Sequence, residues 1–206
     1  ATVQQSRGGE SLPSVTRIYT ERCHNKLQLT KWLFMLCLTF GMIFLFVNIY
    51  AYSHNREYLT VRKIQTLLVV FFFVFQTMSL VMRAVISGNI PLASGHETML
   101  FLSWSLLLMT LVMRNVIPLF RSMGMLLAGF TLLVAHIGLS NPHITPLIPV
   151  LHSPWLSSHV ATIMMSYAIF VILAVNGVIG LTAIAEERSR KVADISLVLL
   201  YVAVVL

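Results

Sequence analysis

The sequence predicts an all-α fold, a polytopic transmembrane helix bundle with about five full spans and a truncated sixth. Apolar residues make up 57% of the 206 residues and charged residues only 10%, whereas a water-soluble domain carries about 25% charged residues. The mean hydropathy is +0.85. The apolar runs reach the roughly 20 residues that a helix needs to cross a bilayer, and they are too uniformly apolar for barrel strands.

Polar and proline-containing connections separate the apolar runs. The full spans are predicted at Trp32–Tyr52, Gln65–Ile86, His96–Met113, Pro118–Leu139 and Pro154–Ala185. A sixth run begins near Val192 and stops with the chain, so we expect an internal piece of a longer protein. The expected division is an N-terminal segment over 1–31, in which 15–31 is a candidate interfacial helix, and a transmembrane domain over 32–206 that is incomplete at its C-terminus.

The loop charges predict the orientation of the bundle. Lys and Arg collect in cytoplasmic loops, and the connections after the first, third and fifth spans are basic, with Arg114 and Arg121 both assigned to the third–fourth connection. Loops 87–95 and 140–153 contain neither residue. We therefore expect these two loops outside, together with 1–31, although the basic residues of 1–31 oppose that placement. The formal charge of +7 follows from the same rule and does not indicate nucleic-acid binding.

A few polar residues lie inside the spans. Gln76 and Asn176 are expected to hydrogen-bond between helices, and Arg83 is expected to snorkel to the outer surface. The two cysteines, Cys23 and Cys37, have no metal-type spacing, and Cys37 lies in an apolar run, so a disulfide is not expected.

The first external loop leads into the third span through "GNIPLASGHETMLFLSW", residues 88–104. Ser94 and Glu97 have the spacing of a capping box, which starts a helix. Two interpretations of His96 and Glu97 stay open: they only begin the helix, or the loop folds back and lines an external cavity.

The second external loop is rich in proline and leads into the fifth span. Ser153 and Pro154 are a favourable helix start, and Trp155 then falls at the headgroup level. His159 lies in the first turns of that helix, and ionisable residues at membrane depth are functional candidates. Its side of the helix is expected to face protein or a cavity and carries Thr162, Ser166, Phe170 and Gly177.

From the residues alone, His159 can be a packing residue, a proton relay or a metal ligand. A neutral imidazole in an apolar slot suits haem iron. His136, near the outer end of the fourth span, either approaches the same cavity or hydrogen-bonds to a neighbouring helix. His143 and His152 are expected to be solvated loop residues.

Two stretches resemble the CcsA (ResC-type) cytochrome c biogenesis proteins, related to CcmC in the haem-handling superfamily. They are "PLASGHETMLFLSW" at 91–104 and "LIPVLHSPWLSSHVATIMMSYAIF" at 147–170. In addition, "NKLQLTKWLF" at 25–34 is similar to the junction before the CcsA part of fused CcsB–CcsA proteins. The resemblance implies a role in presenting haem at the external face for covalent attachment to the CxxCH cysteines of apocytochrome c.

The resemblance also implies how the site is built. It assigns a role to His159 alone, which matches the family's external axial haem ligand. Trp155, Glu97 and His136 are further candidates for haem contact because of their positions near the two external loops. The family's Trp-rich segment and second axial ligand are expected beyond residue 206. Haem b is the implied cofactor or substrate, in a cytochrome c haem lyase component of the bacterial inner membrane. The implied partners are apocytochrome c, a CcsB-type protein or fused domain, thiol-reducing proteins and the lipid bilayer, with no nucleic acid.

Two other functions remain open. A b-type cytochrome anchor would need paired histidines deep in the bilayer, and only His136 and His159 are candidates. A haem-free small-molecule transporter would need broken helices near the midplane. Pro118 and the Gly124/Gly129 pair are the features that favour this last reading.

Overall fold

Almost all of the chain that the computed structural model describes is helical. The described residues are 29–54, 59–87, 92, 94–115, 118–138, 154–182 and 186–205. The helices are α1 (Leu29–Ser53), α2 (Leu59–Ser87), α3 (Gly95–Val112), α4 (Pro118–Ile137), α5 (Pro154–Thr182) and α6 (Glu186–Val205). The expected interfacial helix at 15–31 lies almost entirely outside the described residues.

The first five helices are long and apolar enough to cross a membrane, which confirms the predicted fold class. The candidate spans are Thr30–Ala51, Leu59–Val85, Gly95–Val112, Leu119–Ile137 and Trp155–Val178. In α6 only Ser196–Val205 is apolar. This helix begins at Glu186, earlier than the expected start near Val192, because the preceding Glu, Arg and Lys residues are good helix formers.

Helix α4 lies between α1 and α3 and makes the most extensive helix contacts of the bundle with these two neighbours. Helix α2 packs mainly on α3, and α5 packs on α3 and α6. Helix α3 therefore contacts α2, α4 and α5, so its position affects most of the molecule.

Glycines allow α4 to approach its neighbours closely. A Cβ atom added to Gly129 would lie 3.0 Å from Cys37 Cβ in α1, and one added to Gly124 would lie 2.7 Å from Thr110 Cγ2 in α3. Small residues at such positions let membrane helices pack backbone to backbone. Helix α4 is continuous through both glycines, so in the described structure the Gly124/Gly129 pair serves helix packing and does not break a helix.

Buried polar side chains connect the helices, as predicted for Gln76 and Asn176. Gln76 Nε2 donates to the Leu100 carbonyl oxygen at 2.9 Å and links α2 to α3. Asn176 Nδ2 donates to Ser196 Oγ at 2.6 Å and links α5 to α6. Both predictions are confirmed.

A second polar group joins α1, α2 and α4 at the end of the bundle where α4 begins. Gln65 Nε2 donates to Asn48 Oδ1 at 3.2 Å, and Asn48 Nδ2 donates to Ser122 Oγ at 3.1 Å. Beside them, Arg121 Nη1 donates to Thr66 Oγ1 at 3.4 Å. The assignment of Arg121 to a loop was wrong. Arg121 is buried in the first turns of α4, where the Thr66 hydroxyl of α2 accepts a hydrogen bond from its guanidinium.

Candidate polar and haem-contacting site

The segment that leads into α3 forms the predicted helix start. Ser94 is the N-cap, with extended backbone at φ −118° and ψ 155°. Its Oγ accepts a hydrogen bond from the Glu97 amide at 3.3 Å. Leu92, just before this cap, is buried in the bundle. The capping residue therefore fixes where α3 begins and where the next side chains point.

The Glu97 carboxylate forms an ion pair with Arg83, which comes from the end of α2. Arg83 Nη2 lies 3.5 Å from Glu97 Oε1, and the two side chains are only 3% and 5% exposed. The expectation that Arg83 snorkels to the surface is therefore wrong. A buried charge is costly unless a partner offsets it, and here the partner comes from the neighbouring helix.

His96 links the same helix start to α4. Its Nδ1 lies 3.0 Å from the Ala135 carbonyl oxygen. Because a carbonyl oxygen only accepts, Nδ1 carries the proton and donates it. His96 is buried and interacts electrostatically with Arg83, Glu97 and His136. We call Arg83, His96 and Glu97 the polar trio, and their end of the bundle the His96 end.

His136 follows the carbonyl that His96 contacts and sits on the outer side of the same helix end. Its ring is exposed and packs against Phe34 of α1, with ring centroids 5.0 Å apart and planes inclined by 34°. One of the two expectations for His136 was a hydrogen bond to a neighbouring helix. The contact with the neighbouring helix α1 is instead a packing of the two rings.

Trp155 and His159 are both exposed at the start of α5. Trp155 is 84% exposed, and the His159 side chain is also exposed. Within the described part of the chain His159 has no hydrogen-bond partner. The hydroxyls of Ser158 and Thr162 donate to carbonyl oxygens of their own helix. The imidazole is therefore open to a ligand or partner.

The side of α5 that carries His159 is only partly covered. Thr162 and Ser166 are half-buried, whereas Phe170 and Gly177 are exposed. The buried face is a different one and includes Ala168, Ile169 and Ile172. The expectation that the His159 side faces protein or a cavity stays a prediction, because the described helices cover only the part of this side near Thr162 and Ser166.

The structure brings some of the predicted residues together. Glu97 and His136 both lie at the His96 end, because each follows one partner of the His96–Ala135 contact along the chain. Consecutive spanning helices alternate in direction, so α5 also starts at this end, with Trp155 and His159. Among the described residues no group of three or more His, Cys, Asp or Glu side chains could hold a metal ion. His143 and His152 lie outside the described residues.

Sequence reasoning did not pair Arg83 with Glu97. A signal was present, since one basic and one acidic residue flank the same short connection between two spans. A lone arginine inside a span and a lone glutamate at the start of the next span each cost free energy in a membrane. This cost favours an ion pair between the two.

A comparison with known families relates residues 92–205 to the cytochrome C assembly protein family. That region begins at Leu92 and contains α3 to α6, with the buried Glu97 and the exposed His159. It omits α1 and α2, and so omits Arg83.

Individual proteins are similar to this chain over stretches of different length. Protein NrfI of Wolinella succinogenes is 34% identical over 174 residues, which cover 81% of this chain and 19% of that protein. Cytochrome c biogenesis protein CcsA of Trieres chinensis is 27% identical, over 65% of this chain and 43% of that protein. The CcsA protein of Chlorella vulgaris is 39% identical, over 45% of this chain and 30% of that protein. The chain thus spans less than half the length of each of these relatives.

Proposed function

The chain belongs to the cytochrome c assembly protein family, and from that premise we propose that it presents haem for attachment to apocytochrome c, with His159 as an axial ligand. In this proposal haem b is the substrate and the chain is a component of a cytochrome c haem lyase. The observation that carries the ligand assignment is the exposed imidazole of His159, which has no hydrogen-bond partner among the described residues and lies at the start of a helix long enough to span a membrane.

The residues around His159 fit a haem group in their chemistry. Imidazole is a common axial ligand of haem iron, and the exposed indole of Trp155 stands one turn earlier on the same helix. The neighbouring hydroxyls are satisfied within α5, so they do not compete for the imidazole. The role that we propose for this chain is to position and ligate haem, and the proposal assigns no acid–base step to its side chains.

His136 and Glu97, the other two candidates, differ in whether they can contact a bound haem. His136 is exposed beside Phe34 and can flank a bound haem at the same end of the bundle. Glu97 is buried against Arg83, so we assign it no direct haem contact in this arrangement.

The ligand assignment is tested with His159→Gly in the full-length protein, purified from haem-replete membranes. We expect the Soret absorbance per protein to fall in this variant and to recover when imidazole is added, because free imidazole can occupy the place of the lost side chain. His54→Gly is the matched control, since His54 is also exposed and lies beyond the far end of α1. An unchanged Soret band in His159→Gly would reject His159 as a ligand.

The sidedness follows from the charges of the connections. We propose that the His96 end faces outward from the bacterial inner membrane, where apocytochrome c, a CcsB-type partner and thiol-reducing proteins meet it. Single cysteines at the exposed positions 138 and 54, in a cysteine-free background, report this in spheroplasts. A membrane-impermeant maleimide should label position 138 and spare position 54, and the reverse pattern would overturn the orientation.

A further inference from the structure

The polar trio contains none of the haem contacts proposed above, and it holds α3, on which the His159-bearing helix α5 packs. Its three side chains are buried, so none of them can contact a haem at the surface of α5. An ion pair and a histidine buried in a membrane bundle are costly features that usually mark function.

The trio fixes the start of α3 from two directions. Arg83 holds Glu97 toward α2 at 3.5 Å, and His96 holds the helix to α4 through the Ala135 carbonyl at 3.0 Å. A hydrogen bond depends on direction and an ion pair on the distance between its charges, whereas apolar contacts fix neither closely. The two contacts therefore set the rotation of α3 at the His96 end as well as its distance from α2 and α4.

The position of α3 is passed on to α5, because α5 packs on α3. The contact face of α5 includes the buried residues Ala168, Ile169 and Ile172, about two turns or more beyond His159. A small rotation of α3 at its start changes the tilt of α5, and the imidazole at the free start of α5 then moves farther than the packed face does.

From this arrangement we infer that Arg83, His96 and Glu97 are positioning residues that set where α5 presents His159 to haem. The inference rests on the proposed function of His159. It assigns a role to α2, which lies outside residues 92–205, the region related to the family as a whole.

The first test separates positioning from stability. Arg83→Met and Glu97→Met should each lower the melting temperature of the full-length protein, because each removes the opposite charge that offsets a buried charge. The double variant Arg83→Met/Glu97→Met removes both charges, so its melting temperature should recover. Its haem affinity, measured by Soret titration, should remain lower by about tenfold, the lower range for groups that orient metal ligands. If haem affinity recovers together with the melting temperature, the pair is only structural and the inference is overturned.

The second test uses His96 and remains decisive if the double variant does not fold. His96→Asn keeps a side-chain N–H that can donate to the Ala135 carbonyl, and it should retain haem. His96→Leu has similar bulk and no donor, and it should bind haem about tenfold more weakly. Retention by the leucine variant, or loss in both variants despite normal melting, would contradict a positioning role that acts through this hydrogen bond.

His159→Gly with and without imidazole is measured in the same experiments. If the wild type shows no Soret band, or His159→Gly keeps a full one, the proposed function fails and the positioning inference fails with it. If His159 behaves as expected and the folded trio variants bind haem normally, only the positioning inference is wrong.

Discussion

Gly124 of α4 lies directly against Thr110 of α3 and leaves no room for a side chain. A Cβ at Gly124 would lie 2.7 Å from Thr110 Cγ2 and 2.8 Å from its Cβ, with Oγ1 closer still. Carbon atoms in contact prefer about 3.5 Å or more, so Gly124→Ala forces the two helices apart by at least about 0.8 Å. Thr110 cannot easily turn away, because its Oγ1 donates to the Leu106 carbonyl at 2.7 Å.

The size of the effect follows from comparison with Gly177, which also lies within a helix but has no atom within 4 Å of an added Cβ. Alanine is better than glycine in a helix by about 1 kcal/mol at either site, so this gain cancels between the two variants. What remains at Gly124 is overpacking, which costs about 1–3 kcal/mol. The added separation also stretches the nearby hydrogen bond from Ser103 Oγ to the Ala128 carbonyl oxygen, which is 3.1 Å long in the unsubstituted protein.

The assay is the melting temperature of Gly124→Ala and Gly177→Ala in the same detergent. For a chain of this length 1 kcal/mol shifts the melting temperature by about 2–4 °C, so Gly124→Ala should melt about 2–12 °C below Gly177→Ala. Adding Thr110→Gly moves the Cβ from one helix to the other and should recover part of the loss. Equal melting of the two alanine variants would refute the close contact between α3 and α4.

Three further predictions concern buried polar groups and thiols. Asn176→Leu and Ser196→Ala should each lower the free energy of unfolding by about 0.6–2 kcal/mol, and the double variant should lose no more than the larger single loss. Thermal melting checks this, and additive losses would contradict the hydrogen bond between the two side chains. Gln76→Met should change the free energy of unfolding by less than about 1 kcal/mol. The variant loses a hydrogen bond, but it also removes Oε1, which is buried without a partner among the described residues. A larger loss in the same assay would contradict this balance. Cys37 is fully buried. In a Cys23→Ser background it should therefore react with maleimide only after denaturation, and rapid labelling of the folded protein would contradict the packing of α1 on α4.

The five spans could be predicted because a bilayer requires long apolar runs, and this requirement is visible in the residues themselves. The helix ends depend less on hydropathy, so α6 starts six residues before the expected Val192. Charged helix formers continue a helix beyond its apolar part, and a span prediction based on hydropathy does not count them.

The surroundings of the polar residues were harder to predict. Ser94 and Glu97 carried a local spacing signal, and the cap is present. Arg83 and Arg121 were placed wrongly because burial of an arginine depends on how neighbouring helices rotate toward it. That rotation is set by packing across helices, such as the Gly124–Thr110 contact, and no single span contains this information.

The contacts between α3 and α4 recur along α3 at His96, Ser103 and Thr110, which are seven residues apart. Their partners on α4 are the Ala135 carbonyl, the Ala128 carbonyl and Gly124. Sliding α3 along α4 by one helical turn, about 5.4 Å, would lose all three contacts at once. The three contacts therefore fix one longitudinal register of α3 against α4. This register permits α3 to tilt, whereas a piston movement of α3 between the two sides of the membrane would break the contacts.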